Sequence, residues 1–181
     1  MSQVLQTALA EARAAAPVGV VVLDTLALYH SSFVDEDGNP SPLFLVNNNE
    51  EIVAKLEATA PQKASQWVTF LPIGFNHTKP EIKADSVSVF GIEIDNVGGE
   101  IEAQIERSRF VVPREPIVCV HREYLSTQLS APSYISPYIQ ALTDINTTLS
   151  KVTAKARVTD SANVNFLRSY YTLQQFPGLV R

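Results

Sequence analysis

The chain has 181 residues, a formal net charge of -5 and a hydrophobic content of 45%. A chain of this length can form one domain with its own core, because domains commonly hold about 100 to 200 residues. The acidic balance argues against nucleic-acid binding, which needs clustered Lys and Arg. The single cysteine, Cys119, excludes an intramolecular disulfide and a cage of several thiolates, so we expect folding in a reducing cytosol.

The N-terminal segment has the composition of a helix. Residues 2–15 are rich in alanine and lack Gly and Pro, and Pro17 disfavours helix at the residue before it. Glu11 interrupts the apolar positions and no basic segment precedes them, so we expect no signal peptide. No later window is long and apolar enough for membrane insertion. We interpret residues 1–17 as a helical arm and residues 18–181 as a single β-rich domain.

Short extended segments follow the arm. Residues 18–30 form a β-branched run that predicts a strand, and residues 35–42 predict a turn because Gly38 accepts positive φ cheaply. A short strand is predicted over residues 43–46. Residues 47–51 suit the start of a helix running through residues 52–56, since Asn and Glu favour the first helical turn. Residues 66–75 are predicted to be extended, with Pro72 at an edge or a bulge.

Residues 86–124 predict a strand, a turn, a short helix and a second strand. Ile101 and Ile105 lie four residues apart, which favours a helix laid across a sheet. In the turn, Asp95 and Asn96 are expected to hydrogen-bond the free amides of the turn and the helix start. Gly98 and Gly99 are expected to let the helix approach the sheet closely rather than to bind phosphate, because no complete phosphate-loop motif occurs.

The last segments predict a hairpin. Apolar and polar residues alternate over residues 151–160, which favours a strand with one buried face, and we pair it with residues 139–149. The whole chain then predicts a mainly β protein of the β-rich α+β class. We expect an antiparallel barrel or sandwich of about seven to eight strands with about two or three short helices.

Candidate chemical groups are few. Cys119 and His121 lie on one face of a predicted strand, but a metal would need two more ligands and only His30 and His77 remain as imidazoles. A buried thiol beside a strand-end histidine is the favoured interpretation. Glu93 and Asp95 also share one face, yet a carboxylate at a strand end more simply satisfies turn amides. We therefore predict no catalytic residue, no metal and no cofactor.

Five segments in order carry a resemblance to a known family: LDTLALYHSSF, LFLVNNNEEIVAKLE, WVTFLPIGF, IEIDNVGGEI and FPGLV. Together they resemble a phage-encoded family of unknown function, found among genes for long, non-contractile tails, and the fourth segment is similar to minor tail proteins of lambda-like tail tips. The resemblance spans residues 18–181. It implies a β-rich, tail-hub-like structural protein rather than an enzyme. The cysteine-bound cluster of lambda-type relatives is not carried over, because Cys119 alone cannot build it.

The resemblance also implies partners and location. The expected partners are the tail tube and the central fibre or receptor-binding protein, in a virion assembled in the host cytoplasm. A ring of identical copies is implied, and we expect a homotrimer, with a homohexamer as the alternative. The helix at residues 2–15 and the tail at residues 170–181 are predicted to reach neighbouring subunits. Within that tail, the predicted interface residues are Phe176, Pro177, Gly178 and Leu179.

Two other functions stay open. The first is a small ligand-binding or hydrolytic β-barrel enzyme, with Glu93, Asp95 and His121 forming its site, because barrel mouths make good pockets. The second is a tail assembly factor that is absent from the finished virion.

Overall fold

A computed structural model gives the fold of the chain and describes residues 3–15, 19–35, 37–78, 89–96, 99–136, 140–148 and 150–158. Two helices and ten strands lie in these ranges. In chain order they are α1 (Gln3–Ala15), β1 (Val22–Tyr29), β2 (Leu43–Val46), β3 (Ile52–Lys55), β4 (Trp67–Pro72), β5 (Phe75–Thr78), β6 (Val89–Asp95), α2 (Glu100–Arg109), β7 (Val118–Leu125), β8 (Tyr134–Ile135), β9 (Gln140–Thr147) and β10 (Lys151–Val158).

The strands form one sheet, so the mainly β class is confirmed. Nine strands follow the order β3-β4-β2-β1-β7-β9-β10-β6-β5, and β8 pairs with β7 beside this path. All pairs are antiparallel except β2 with β4. Within the described residues the sheet is not closed, and its ten strands exceed the predicted seven or eight. The excess comes from short strands, since β3, β5 and β8 each hold four residues or fewer.

One continuous stretch of chain links β4, the second strand of this order, to β5, the last. β4 pairs with β2, and after two residues the chain continues as β5, which pairs with β6. Between them the Ile73 amide donates to the Val46 carbonyl at 3.1 Å, and the Asp95 amide donates to the Gly74 carbonyl at 2.9 Å. Pro72 ends β4, as a residue without an amide donor should. The sheet therefore curls, and β5 comes to face β7.

The curled sheet separates two apolar cores. The larger core lies between β1, β6, β9 and β10 and is covered by α2, through the predicted helix residues Ile101 and Ile105. The second core lies on the other face of β1 and β7, under β2, β3 and β4. Because side chains alternate along a strand, β1 and β7 supply residues to both cores. These two strands are consequently buried on both faces, and β7 has seven buried residues out of eight.

Several predicted elements are confirmed, and one is wrong. The strand β1, the turn before β2 and the hairpin of β9 and β10 occur where expected. The helix predicted through residues 52–56 is instead the strand β3. Pairing with β4 buries Ala54, and the β-branched Ile52 and Val53 suit an extended backbone better than a helix. The Asn-rich segment before them forms a turn, in which the Asn48 side chain donates to the Glu50 carbonyl.

The helix α1 lies against the end of the sheet. Leu9 and Ala12 pack on Leu125 in a small third cluster, and Arg13 forms an ion pair with Glu123 of β7. Neither described helix is long and apolar enough to cross a bilayer. That residues 2–15 reach a neighbouring subunit stays a prediction.

Candidate functional site

The predicted turn after β6 is described in part. Asp95 is exposed at the end of β6, and its carboxylate lies where a Cβ on Gly74 would come within 2.7 Å of it. Gly99 is the N-cap of α2 with φ 75°, a conformation that favours glycine, and no side chain caps it among the described residues. Gly98 lies outside the described residues, so the predicted approach of the Gly98-Gly99 pair is seen only at Gly99.

Asn96 stabilises this turn through hydrogen bonds that differ from the predicted ones to the free amides. It is buried, and its Nδ2 donates to Glu102 Oε2 at 3.2 Å and to the Thr148 carbonyl at 3.3 Å. Its own amide donates to the Ser150 carbonyl at 2.9 Å. Asn96 thus links the hairpin of β9 and β10 to the first turn of α2, where it binds the side chain of Glu102. The predicted interface residues Phe176, Pro177, Gly178 and Leu179 lie outside the described residues.

The site considered for an enzyme is not brought together on one face. Glu93 alternates with Ile92 and Ile94, which belong to the larger core, so its side chain lies on the opposite face of β6, where it pairs with Lys151. His121 instead lies on the core side of β7, next to Phe90. The sequence grouped Glu93, Asp95 and His121 as one candidate site. Period-two spacing identifies a shared face only within one strand, so it could not show where His121 lies relative to the two carboxylates.

Cys119 lies in the larger core, and burial raises the pKa of its thiol to about 12. A thiol in this state is a poor nucleophile and a poor metal ligand, because both roles need the thiolate. The favoured interpretation of Cys119 as a buried apolar residue agrees with this environment. Its strand neighbour His121 has a different environment.

His121 belongs to a cluster that the sequence did not predict, together with Asp24 of β1 and His77 of β5. One ligand-type atom from each of the three residues lies within 4.8 Å of the others. His121 Nε2 lies 3.4 Å from Asp24 Oδ1, and the centroids of the two imidazole rings are 4.6 Å apart. His121 is 5% exposed and Asp24 is 32% exposed, so the cluster reaches from the core toward the surface. No sequence signal joined these residues, which come from three distant strands.

A second candidate surface is a groove of about 690 Å³ beside the β4 strand. One wall is the outer face of β4, with Trp67 and Leu71, and the opposite wall is the face of α2 that carries Ala103 and Arg107. Trp67 is 56% exposed, and Val53 on the adjacent edge strand β3 is 51% exposed. Large apolar groups gathered at one surface are typical of a contact with another protein.

The α2 wall of this groove is fixed by Gln104. Its Nε2 donates to the Val34 carbonyl at 2.7 Å, and its Oε1 accepts from the Val34 amide at 3.3 Å. The amide side chain thus binds one residue of the β1–β2 loop as a neighbouring strand would. Beyond the helix, Phe110 and Val112 are 82% and 91% exposed. Phe110 follows Arg107 by three residues, so it continues the groove-facing side of α2.

A buried ion pair occupies the second core. The Arg122 guanidinium is fully buried, and it donates to both oxygens of Glu57 at 2.7 and 2.8 Å and to the Tyr29 hydroxyl at 3.1 Å. Burial lowers the pKa of Arg122, but the hydrogen bond and charge of Glu57 outweigh it, so the net pKa is raised. Burial also raises the pKa of Tyr29, against the opposing charge of Arg122. The arrangement neutralises the charge inside the core and holds β7 to the loop after β3.

The fold defines this chain as a mainly β protein, whose described residues form a curled ten-stranded sheet and two helices. Residues 8–171 match the family model described as Domain of unknown function (DUF1833), so the chain belongs to that family. The match covers α1 from its middle, every strand and α2, which means that the family comprises the whole described sheet. A comparison with curated proteins found no match.

Proposed function

We propose that this protein is a structural subunit of the tip of a long, non-contractile phage tail, where it joins the tail tube to the central fibre or receptor-binding protein. The order of the five sequence segments supports this proposal, because it resembles phage tail-tip proteins. Membership of a family of unknown function is compatible with it. The observation that carries the proposal is the exposed apolar surface around the groove.

That surface has the character of a subunit contact. Trp67 exposes a large aromatic side chain at the β4 wall of the groove, and Phe110 exposes another at the C-terminal end of α2, the helix that forms the opposite wall. Aromatic groups dominate the energy of protein interfaces. Beside them, β3 is the last strand of the described order, and an edge strand can add a strand from another chain. Identical copies in a ring meet through two different patches, which close by rotation. We expect three copies in the ring, with six as the alternative.

The test is a double variant, Trp67→Ser with Phe110→Ser. The host cells produce this variant and are infected by a phage whose own copy of the gene is disrupted, so the variant is the source of the protein. Both residues are on the surface, so the free energy of unfolding should change by less than about 1 kcal/mol. Assembly into particles should fall about tenfold or more, because truncating an interface aromatic costs about 1.4 kcal/mol or more. The control is Val21→Ser, since Val21 is 57% exposed and lies outside the groove.

Three measurements separate the alternatives. Immunogold labelling should place the wild-type protein at the tail end of the particle, and mass photometry should give the mass of a trimer or hexamer. Labelling elsewhere on the particle, or complete tails formed without the protein, would contradict the proposal. If the protein is required for tails but mass spectrometry finds none in purified virions, it is an assembly factor instead.

A further inference from the structure

The cluster of Asp24, His77 and His121 is built by the curl of the sheet. On β1 and β7, Leu26 lies directly opposite His121, and Asp24 is two residues from Leu26 on the same face. His77 comes from β5, which is four places away from β7 in the strand order. The return of the chain from β4 to β5, together with the pairing of β5 with β6, brings this imidazole over the face of β7.

The distance between His121 and Asp24 suits two ligands of one metal ion as well as a long hydrogen bond. The 3.4 Å between His121 Nε2 and Asp24 Oδ1 exceeds the usual range of about 2.7 to 3.2 Å for an N–H···O hydrogen bond. Two ligands of a tetrahedral zinc ion, each about 2.0 to 2.1 Å from the metal, lie about 3.3 Å apart. All three ligand atoms lie within 4.8 Å of one another.

Aromatic rings hold the two imidazoles in place. The His77 ring stacks on Phe90 with centroids 5.2 Å apart and an interplanar angle of 23°. The His121 ring lies 5.7 Å from Phe90 and 6.1 Å from Tyr134, measured between centroids. A donor set held by packing loses little freedom when it binds an ion. The partial exposure of Asp24 leaves a path from solvent.

We propose that Asp24, His77 and His121 bind one divalent transition-metal ion, with Zn²⁺ as the preferred ion. Two imidazoles and one carboxylate are ligands that zinc accepts in a tetrahedral site, whereas Ca²⁺ and Mg²⁺ favour all-oxygen sites. Three protein ligands leave the fourth position for water or for a ligand atom of another molecule. The metal site does not depend on the tail-tip function proposed above.

The experiment uses the purified full chain after removal of metals with a chelator. Zn²⁺ affinity is measured by calorimetry, and Co²⁺ serves as a probe because its visible absorption reports four-coordinate geometry. We expect one ion per chain. His77→Gln, His121→Gln and Asp24→Asn should each weaken Zn²⁺ binding by more than about 100-fold, the upper limit for loss of an outer-shell contact.

Two matched controls keep the test specific. His30→Gln changes the histidine that lies outside the cluster, and Asp37→Asn changes an exposed carboxylate in the turn before β2; both should keep wild-type affinity. Circular dichroism checks folding, and Asp24→Asn provides an isosteric change at a half-buried position if His121→Gln does not fold. Absence of stoichiometric binding, or equal loss in the controls, would overturn the proposal and leave the two rings as packing groups.

Discussion

On one face of β7, Arg122 lies wholly buried and ion-paired to Glu57, whereas on the other face His121 lies beside the half-buried Asp24 and His77. The Nε and Nη2 atoms of Arg122 donate to acceptors at 2.7 to 3.1 Å, whereas the buried Nη1 has no partner among the described residues, so Glu57 and Tyr29 fill most of that site. The three groups around His121 stand farther apart. The difference indicates that a buried ion pair joined by short hydrogen bonds stabilises a fold, while a cluster with longer spacings and an opening to solvent can take a ligand.

The strongest test of this comparison is to remove one partner of the ion pair between Arg122 and Glu57. Arg122→Met leaves Glu57 without its partner in the second core, and we expect the free energy of unfolding to fall by about 3 to 5 kcal/mol. Urea denaturation measures it. Glu57→Met should cost a similar amount, because it leaves the arginine charge buried and unpaired.

The double variant and a surface control sharpen the same test. Arg122→Met with Glu57→Met should recover most of the loss, since two apolar side chains of similar length replace the pair. Arg157→Met changes an arginine that is 48% exposed and lies 3.5 Å from Asp144, and it should cost less than about 1 kcal/mol. Losses that simply add in the double variant would show that the pair is not a unit.

A smaller effect is expected at the end of β7 where α1 packs. Arg13 is 45% exposed, but its partner Glu123 is 1% exposed, so Arg13→Gln leaves a buried carboxylate with a weaker donor. We expect a loss of about 1 to 3 kcal/mol, measured by thermal and urea unfolding. The control is Arg109→Gln, in which both partners are exposed at 50% and 42% and the loss should stay below about 0.5 kcal/mol.

If Arg13→Gln is as mild as Arg109→Gln, then α1 does not depend on this ion pair. Adding Glu123→Gln to Arg13→Gln should recover part of the loss, because a neutral amide costs less to bury than a carboxylate. The result also bears on the predicted arm. A helix that is released by Arg13→Gln would become free to reach another subunit.

Sequence patterns identified the elements whose signal is local. The alternation in β10 and the four-residue spacing of Ile101 and Ile105 predicted a strand and a helix, and both are present. The segment of β3 was wrongly predicted to be helical, because the Asn and Glu residues before it also suit a helix start. In that segment the pairing with β4 decides the structure, and the partner of a strand cannot be predicted from the local sequence.

The candidate site depends on contacts between distant strands, which explains why sequence reasoning missed it. Asp24 lies in the run of residues 18–30 that predicted a strand, and no motif or spacing in the sequence linked Asp24 or His77 to His121. Their meeting follows from the curl of the sheet and from the switch of the chain between β4 and β5. The burial of Arg122 could likewise not be predicted from the sequence, because burial on both faces of β7 appears only once α2, β3 and β4 cover the sheet.

The smallest predicted effect concerns Cys119, on the same face of β7 as His121 but deeper in the core. Its thiol pKa rises from 9.0 to about 12 in the folded chain, so the folded chain keeps a proton that the unfolded chain loses in alkali. This contribution to stability is complete below pH 9.0 and is lost as the pH rises toward 12. Between about pH 8 and about pH 10 the expected loss is about 1.4 kcal/mol. Urea unfolding of wild type and Cys119→Ala at both pH values gives the free energy of unfolding. The expected loss is the difference between the two proteins in the slope of that free energy against pH. Equal slopes would show that the thiol reaches solvent, and the larger core would then be as open as the histidine cluster beside it.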